Sequence, residues 1–297
     1  MSIKINYITA NKNKSLSSNI VLFSNEKTKI NNLKNYLSKP EFVYIEDLLK
    51  TIDQKKNIFV FQLSSKRKII LISSKNNFKT SEIENLGAEF YNQINRGKSS
   101  EYFLISDSVN SNHNLFLGHF LHGLKLKSYE FKKYKTKQDK NDISINVIGN
   151  KNKPSAQNQI KFKALEQGTF HARDLVSEPG NILHPDEYAK RISSLRKEGL
   201  KINIYDEKKL KKLGMHALLG VGQGSIRGSY LVTMEWNGAK NNSKPLAFVG
   251  KGVCFDTGGY SLKPAKFMED MTYDMAGSAT VVGLMKNLAL RKAKINA

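Results

Sequence analysis

Short apolar runs alternate with amphipathic stretches over the first 150 residues of the chain. Five runs have the length and the β-branched and aromatic composition of strands. They lie at Ile3 to Ile8, Ile20 to Phe23, Ile58 to Leu63, Ile69 to Ile72 and Tyr102 to Ile105. Two longer stretches, Thr80 to Arg96 and Leu115 to Leu126, repeat apolar residues every three or four positions, which predicts helices. Strands that alternate with helices predict an α/β unit with a mixed sheet.

A polar segment rich in Lys, Asn and Gln separates this unit from the rest of the chain. Its centre, residues 150–159, contains Pro154 and has the composition of a linker. We therefore predict an N-terminal α/β domain over residues 1–154 and a second domain over residues 155–297.

The second domain shows the same alternation but contains more glycine. The predicted elements are helices from Ile160 to Ser177 and from Ser278 to Leu290, and strands from Tyr230 to Trp236 and from Leu246 to Val249. The glycine-rich run from Gly220 to Gly228 lacks the Gly-x-Gly-x-x-Gly spacing, because Ser225 stands at the last glycine position. A turn beside the sheet is therefore favoured over a phosphate cradle.

Four charged residues lie in the glycine-rich stretch that follows the last predicted strand. They are Lys251, Asp256, Lys263 and Asp274. Charges among apolar residues are costly unless they pair or bind an ion. Carboxylates bind divalent metals, a lysine can join them as a neutral amine, and a second lysine could stabilise an oxyanion. The spacing alone allows two interpretations: ordinary salt bridges, or a site for metal-assisted hydrolysis.

The sequence around these charges resembles one protein family closely. Residues 249–264 read VGKGVCFDTGGYSLKP, and residues 271–279 read MTYDMAGSA. This stretch of about thirty residues is similar to the leucyl aminopeptidases, which are the cytosol aminopeptidases of peptidase family M17. Residues 172–181 also follow the family pattern at the start of its catalytic domain. The resemblance implies that an α/β metallopeptidase domain follows the N-terminal domain.

The resemblance implies a role for each charged residue. Lys251, Asp256 and Asp274 match metal ligands of the family, and Asp256 matches the ligand that bridges two metal ions. Lys263 matches the catalytic lysine, and Met271 matches a residue of the pocket for the N-terminal side chain of the substrate. The implied cofactors are two divalent ions, Mn²⁺ or Zn²⁺. The implied reaction is the release of N-terminal residues, with a preference of the leucine type, from peptide substrates.

One departure from the family changes these expectations. The family carries its other metal ligands and a catalytic arginine in a later Asn-Thr-Asp-Ala-Glu-Gly-Arg motif, and the sequence given stops at Ala297 without it. By resemblance, we expect the catalytic domain to be incomplete, metal binding to be weak, and the chain alone to have little or no peptidase activity. Intact members of the family form homo-hexamers, and the shortened domain argues against a hexamer here.

Composition adds an alternative from another class of function. The chain has 48 Lys and Arg against 26 Asp and Glu, a formal net charge of +22. Lysine greatly outnumbers arginine, which favours nonspecific contact with nucleic acid over base-specific reading. The alternative is a non-catalytic basic binding or assembly module derived from an aminopeptidase.

The sequence also predicts where the protein is found. No apolar run reaches the length of a membrane span, and the first residues lack the pattern of a secretory signal. The single Cys254 fits a reducing compartment. We therefore predict a cytoplasmic protein without a membrane partner.

Overall fold

The chain folds into two compact units, Met1–Phe162 and Lys163–Ala297. The computed structural model describes residues 2–8, 18–24, 30–53, 55–65, 67–74, 77–95, 100–137, 142–239 and 243–297. The domain boundary after residue 154 remains a prediction from the sequence. Among the described residues, no helix combines the length and the apolar composition that a membrane crossing requires.

The first unit is built on a six-stranded sheet with the order β1-β6-β5-β2-β4-β3. The strands are β1 (Ser2–Ile8), β2 (Asn19–Ser24), β3 (Ile58–Ser64), β4 (Arg67–Ser73), β5 (Ser100–Ile105) and β6 (Asp142–Ile148). All neighbours are parallel except β3, which lies at the edge and runs antiparallel to β4. The predicted mixed sheet is therefore confirmed.

Both faces of the central strands β2 and β4 are buried, which explains why these two strands are continuously apolar. Val21 and Phe23 of β2 pack in one buried cluster, and Ile20 and Leu22 pack in the other. The first cluster includes residues of the helices α2 (Thr80–Ile94) and α3 (Phe116–Lys127). The second includes residues of α1 (Lys39–Leu49) and of a 3₁₀ turn at Asn31–Tyr36.

The second unit contains an antiparallel ribbon and a buried C-terminal helix. The ribbon pairs β7 (Lys201–Tyr205) with β8 (Leu231–Glu235). Helix α4 (Ala156–Ser177) begins in the first unit and ends in the second. The other helices of the second unit are α5 (Pro185–Ser193), α6 (Glu207–Lys212), α7 (His216–Gly222) and α8 (Ala276–Leu290), with 3₁₀ segments at Ser194–Glu198 and Ala265–Tyr273. Val282, Met285 and Leu288 of α8 form the centre of the core of this unit. The candidate site lies at the start of this helix.

The prediction of a strand from Leu246 to Val249 was wrong. Residues 243–253 contain no bend or turn, and they do not enter a ladder. The N–H of Leu246 donates to the carbonyl of Asn296 at 3.0 Å, and the side chain of Val249 is 96% exposed. No strand among the described residues pairs along the length of this segment.

Two further expectations were wrong in part. The glycine-rich run was predicted to be a turn, but its first residues, up to Gly222, belong to α7. The linker predicted at residues 150–159 is shorter, because α4 begins at Ala156. The carbonyl of Ser155 accepts from the N–H of Gln159, and its hydroxyl accepts from the N–H of Asn158, so Ser155 caps this helix start.

Candidate active site

A tight loop brings Lys263 back to Asp256. The carboxylate of Asp256 accepts from the N–H of Gly258 at 2.8 Å, and the N–H of Lys263 donates to the carbonyl of Thr257 at 3.0 Å. Gly258 has a φ of +92°, and a Cβ there would lie 2.4 Å from the carbonyl oxygen of Ser261. Glycine is therefore required at this turn. The result is an ion pair of 2.7 Å between Lys263 Nζ and Asp256 Oδ2.

Lys251 is fixed against the first turn of α8 through its backbone. Its carbonyl accepts from the N–H of Ser278 at 2.9 Å, which satisfies one of the free donors at the helix start. A Cβ on Gly250 would lie 2.5 Å from Ser278 Cα. Gly250-Lys251 thus packs closely against Gly277-Ser278, and this contact places Lys251 beside the helix start.

Asp274 lies just before the same helix and faces Lys251. It follows the 3₁₀ segment Ala265–Tyr273, and its N–H donates to the carbonyl of Met271 at 3.3 Å. Lys251 Nζ donates to Asp274 Oδ1 at 2.5 Å. The positive end of α8 also favours a carboxylate at this position. Because the Lys251 side chain is 61% exposed, this pair contributes little to stability and can open at low cost.

Met271 contacts the predicted catalytic lysine. Lys263 Nζ donates to the thioether sulfur of Met271 at 3.0 Å, a weak hydrogen bond. Lys263 therefore lies between a carboxylate on one side and a methionine on the other. The five residues singled out from the sequence form two linked pairs and one side-chain contact, all within residues 251–274.

The two ion pairs are coupled through Asp256. The ammonium of Lys263 is the main cause that holds the pKa of the Asp256 carboxyl below its ordinary value, and the Gly258 N–H is the next. The charge of Lys251 lowers this pKa further. The side chains therefore form two ion pairs, Lys251 with Asp274 and Lys263 with Asp256, and the charge of Lys251 also acts on Asp256.

The donor set of this site fits one metal ion better than two. Two carboxylates and a lysine amine are ligands of hard and borderline metals, and both carboxylates already hold a cationic group. Within the described ranges, no group of three or more His, Cys, Asp and Glu residues is placed to hold a metal ion. A two-ion centre would need further donors.

Two buried side chains lie near the site, and the sequence did not indicate the role of one of them, Tyr188. The hydroxyl of Tyr188 in α5 lies 2.9 Å from Ser278 Oγ, so it supports the turn that holds Lys251. Burial raises the pKa of Tyr188 to about 12. Cys254 is buried, and burial raises the pKa of its thiol to about 12, so the thiol is an inert, apolar part of the core and not a nucleophile.

Comparison with known proteins supports the sequence resemblance. Residues 170–297 match the model of the cytosol aminopeptidase family, catalytic domain. A probable cytosol aminopeptidase of Ehrlichia ruminantium (strain Gardel) is 44% identical over 235 residues, which cover 77% of this chain and 46% of the relative. One from Chelativorans sp. is 52% identical over 180 residues, covering 59% of this chain and 36% of the relative. The chain thus spans less than half the length of these relatives.

Solved structures share the fold at low sequence identity. The cytosol aminopeptidase of Coxiella burnetii matches with a TM-score of 0.73 and 18% identity, over 98% of this chain and 58% of that chain. The bottromycin maturation enzyme BotP in complex with Mn matches with a TM-score of 0.69 and 19% identity, over 92% of this chain and 56% of that chain. Together with the sequence matches, these results establish that the chain is a partial member of the cytosol aminopeptidase family, peptidase family M17.

Proposed function

We propose that this chain carries one part of the active site of a metal-dependent aminopeptidase. The observation that supports this most is the pairing of Lys251 with Asp274 and of Lys263 with Asp256, together with the contact of Lys263 with Met271. Family membership makes ordinary surface salt bridges the weaker interpretation of the same four charges. The relatives are named cytosol aminopeptidases, which supports a cytoplasmic location.

Lys251, Asp256 and Asp274 are the residues that would hold a divalent ion. A bound ion supplies Lewis-acid polarisation of the peptide carbonyl and makes a water more acidic. The structural neighbour BotP is described in complex with Mn, which supports manganese as the ion to test first. The ammonium of Lys251 must lose its proton to become a ligand, so binding is expected to strengthen as pH rises.

Lys263 is the proposed oxyanion-stabilising residue. Its ammonium is held by Asp256 on one side and by Met271 on the other, which restricts it to one position. From there it would donate to the carbonyl oxygen of a peptide as negative charge develops. Met271, in contact with Lys263, is the proposed wall of the pocket for an apolar N-terminal side chain such as that of leucine.

The chain alone is expected to be inactive, because the described residues supply donors for a single ion. Leucyl-p-nitroanilide with Mn²⁺ tests this part of the proposal. The expected result is no turnover above that of Lys263→Ala. Turnover that is lost in Lys263→Ala, but kept in the matched variant Lys266→Ala, would contradict inactivity.

A chimera tests the proposed function directly. Residues 163–297 of this chain replace the matched residues of the Ehrlichia ruminantium relative, whose own aminopeptidase activity is measured first. We expect the chimera to be active with Mn²⁺, and Lys263→Ala to reduce kcat by about 10²-fold to 10³-fold. The neighbouring Lys266 is exposed, so Lys266→Ala should keep kcat within about twofold. Equal activity of both variants would remove Lys263 from the mechanism.

A second candidate function, an assembly module, is supported by one separate observation. The second unit exposes large apolar side chains close to a groove, among them Leu246, Phe248 and Val249. The positive charge of the chain adds nonspecific attraction to polyanions, which salt screens.

A further inference from the structure

Ser278 is a junction of three hydrogen bonds at the start of α8. Its N–H donates to the carbonyl of Lys251, and its hydroxyl donates to the carbonyl of Met275, both at 2.9 Å. Its hydroxyl oxygen also lies 2.9 Å from the hydroxyl of Tyr188 in α5. Ser278 is therefore bonded to Lys251 and to the residue next to Asp274, and Lys251 and Asp274 form one ion pair of the site.

The direction of the Tyr188 contact follows from the number of hydroxyl protons. A serine hydroxyl has one proton, and the proton of Ser278 is used in the bond to the carbonyl of Met275. The Tyr188 hydroxyl is therefore the donor, and Ser278 Oγ is the acceptor. Burial raises the pKa of Tyr188 to about 12, so the phenol keeps this proton near neutral pH. The hydrogen bonds thus run from α5 through Ser278 to the backbone beside Asp274.

Tyr188 is held in the core, whereas the charged side chains of the site are not. Tyr188 is 5% exposed and belongs to the same buried cluster as Met275 and Ala279. The side chain of Lys251 is 61% exposed, and that of its partner Asp274 is 18% exposed. A buried group that is bonded to their backbone can therefore limit the movement of side chains that solvent leaves mobile.

Close packing transmits the position of Ser278 to the backbone of Lys251. A Cβ on Gly250 would lie 2.5 Å from Ser278 Cα, and a Cβ on Gly252 would lie 3.3 Å from Ser278 Oγ. On the helix side, a Cβ on Gly277 would lie 3.3 Å from the backbone nitrogen of Lys251. The residues before and after Lys251 thus both contact Ser278, and a shift of the Ser278 hydroxyl would move them.

We propose that Tyr188 is a positioning residue of the candidate active site, which acts through Ser278 to hold Lys251 and Asp274 in place for a divalent ion. This inference rests on the proposed function, because Lys251 and Asp274 are the groups assigned there to the ion. Groups that orient metal ligands from behind commonly change metal affinity by about 10-fold to 100-fold when they are removed. Loss of the Tyr188 hydroxyl should therefore weaken the binding of the ion.

Amide hydrogen exchange of the metal-free full chain tests the junction without any metal ion. Tyr188→Phe removes only the donating hydroxyl, and we expect exchange of the Ser278 N–H to become at least about tenfold faster. Tyr230→Phe is the matched control, because the Tyr230 hydroxyl also lies in the second unit and donates to Asp186 at 2.8 Å. This control should keep the exchange rate at Ser278 within about twofold.

Mn²⁺ binding to the same full-length variants, followed by electron paramagnetic resonance, tests the effect on the ion. We expect Tyr188→Phe and Ser278→Ala each to raise the Kd for Mn²⁺ at least about tenfold. Tyr230→Phe and Thr280→Ala should keep this Kd within about twofold. Thr280→Ala is matched to Ser278→Ala, because the Thr280 hydroxyl donates to the carbonyl of Ala276 at 2.9 Å in the same helix. A purely structural role of Tyr188 would lower the unfolding temperature and leave the Kd of the folded chain unchanged.

Three results would overturn the inference. The first is an exchange rate at Ser278 that is equal in Tyr188→Phe and Tyr230→Phe. The second is a Kd for Mn²⁺ that Tyr188→Phe leaves unchanged although Asp274→Asn raises it, a result that keeps the proposed function. The third is the absence of Mn²⁺ binding, or binding that Asp274→Asn does not weaken, which would overturn the proposed function and this inference with it.

Discussion

At the scale of single residues, the site is defined by which carboxylate each lysine faces. Sequence motifs indicated the four charges and Met271, because their identities and spacing match a family pattern. The pairing was not predictable, since it depends on the turn at Gly258 and on the contact of Lys251 with Ser278. Tyr188, which supports that contact, lies in another element and carries no sequence signal.

The two lysines should affect Asp256 unequally. Lys263→Met removes the main cause of the lowered pKa and should raise the pKa of the Asp256 carboxyl toward its ordinary value. Lys251→Met removes a smaller charge effect and should raise it less. Carboxyl NMR titration of the two variants measures this order. The reverse order would contradict the pairing of Lys263 with Asp256.

His171 should make stability depend on pH. It is largely buried in α4, its Nε2 has no hydrogen-bond partner, and burial lowers its pKa to about 4 from an ordinary 6.5. Below about pH 6.5, His171 therefore binds a proton in the unfolded chain, whereas in the folded chain it stays neutral until the pH falls to about 4. Stability should fall by about 3 kcal/mol as pH drops from about 6.5 to about 4.

Urea unfolding of His171→Gln at pH 7 and pH 4.5 tests this dependence. The variant should lose most of the pH-dependent difference shown by the unsubstituted chain. The matched variant His216→Gln changes an exposed histidine and should keep that difference. An unchanged pH dependence in His171→Gln would show that other groups cause it.

At the scale of secondary-structure elements, buried parallel strands were the most predictable part of the fold. All five predicted runs are strands, and the continuous apolar runs of β2 and β4 follow from burial on both faces. Helix α1 was not predicted, although Ser38 and Glu41 form a capping box and Phe42, Ile45 and Leu49 face the core. The helix is short, and its exposed apolar residues Val43 and Tyr44 interrupt the helical repeat of apolar and polar positions.

The contact between segment 243–253 and α8 depends on a glycine. Gly250→Ala should destabilise the second unit by about 1–3 kcal/mol, because its Cβ would meet backbone atoms of Ser278 that cannot move independently. Gly224 has open space around the corresponding position, so Gly224→Ala should change the free energy of unfolding little. Thermal unfolding of both variants measures the difference. Equal stabilities would show that residues 250 and 278 do not approach closely.

At the scale of the whole molecule, the first unit has a complete sheet with both faces covered, whereas the second unit has a two-stranded ribbon beside a groove. The sequence predicted strand character for Leu246 to Val249, but a ladder needs a neighbouring strand. The apolar pattern of Leu246 to Val249 does not reveal that no strand among the described residues pairs along it. Ser278, at the start of α8, contacts Lys251 of the proposed site and also lines the groove.

The most direct test of the account is Mn²⁺ binding to the full chain, followed by electron paramagnetic resonance from pH 6 to pH 9. We predict weak binding that strengthens with pH, since Lys251 must release a proton. Asp256→Asn and Asp274→Asn should each weaken binding at least about tenfold, while the neighbouring Asp270→Asn leaves it unchanged. Equal Mn²⁺ binding by all three variants and the unsubstituted chain would contradict the assignment of these residues as metal ligands.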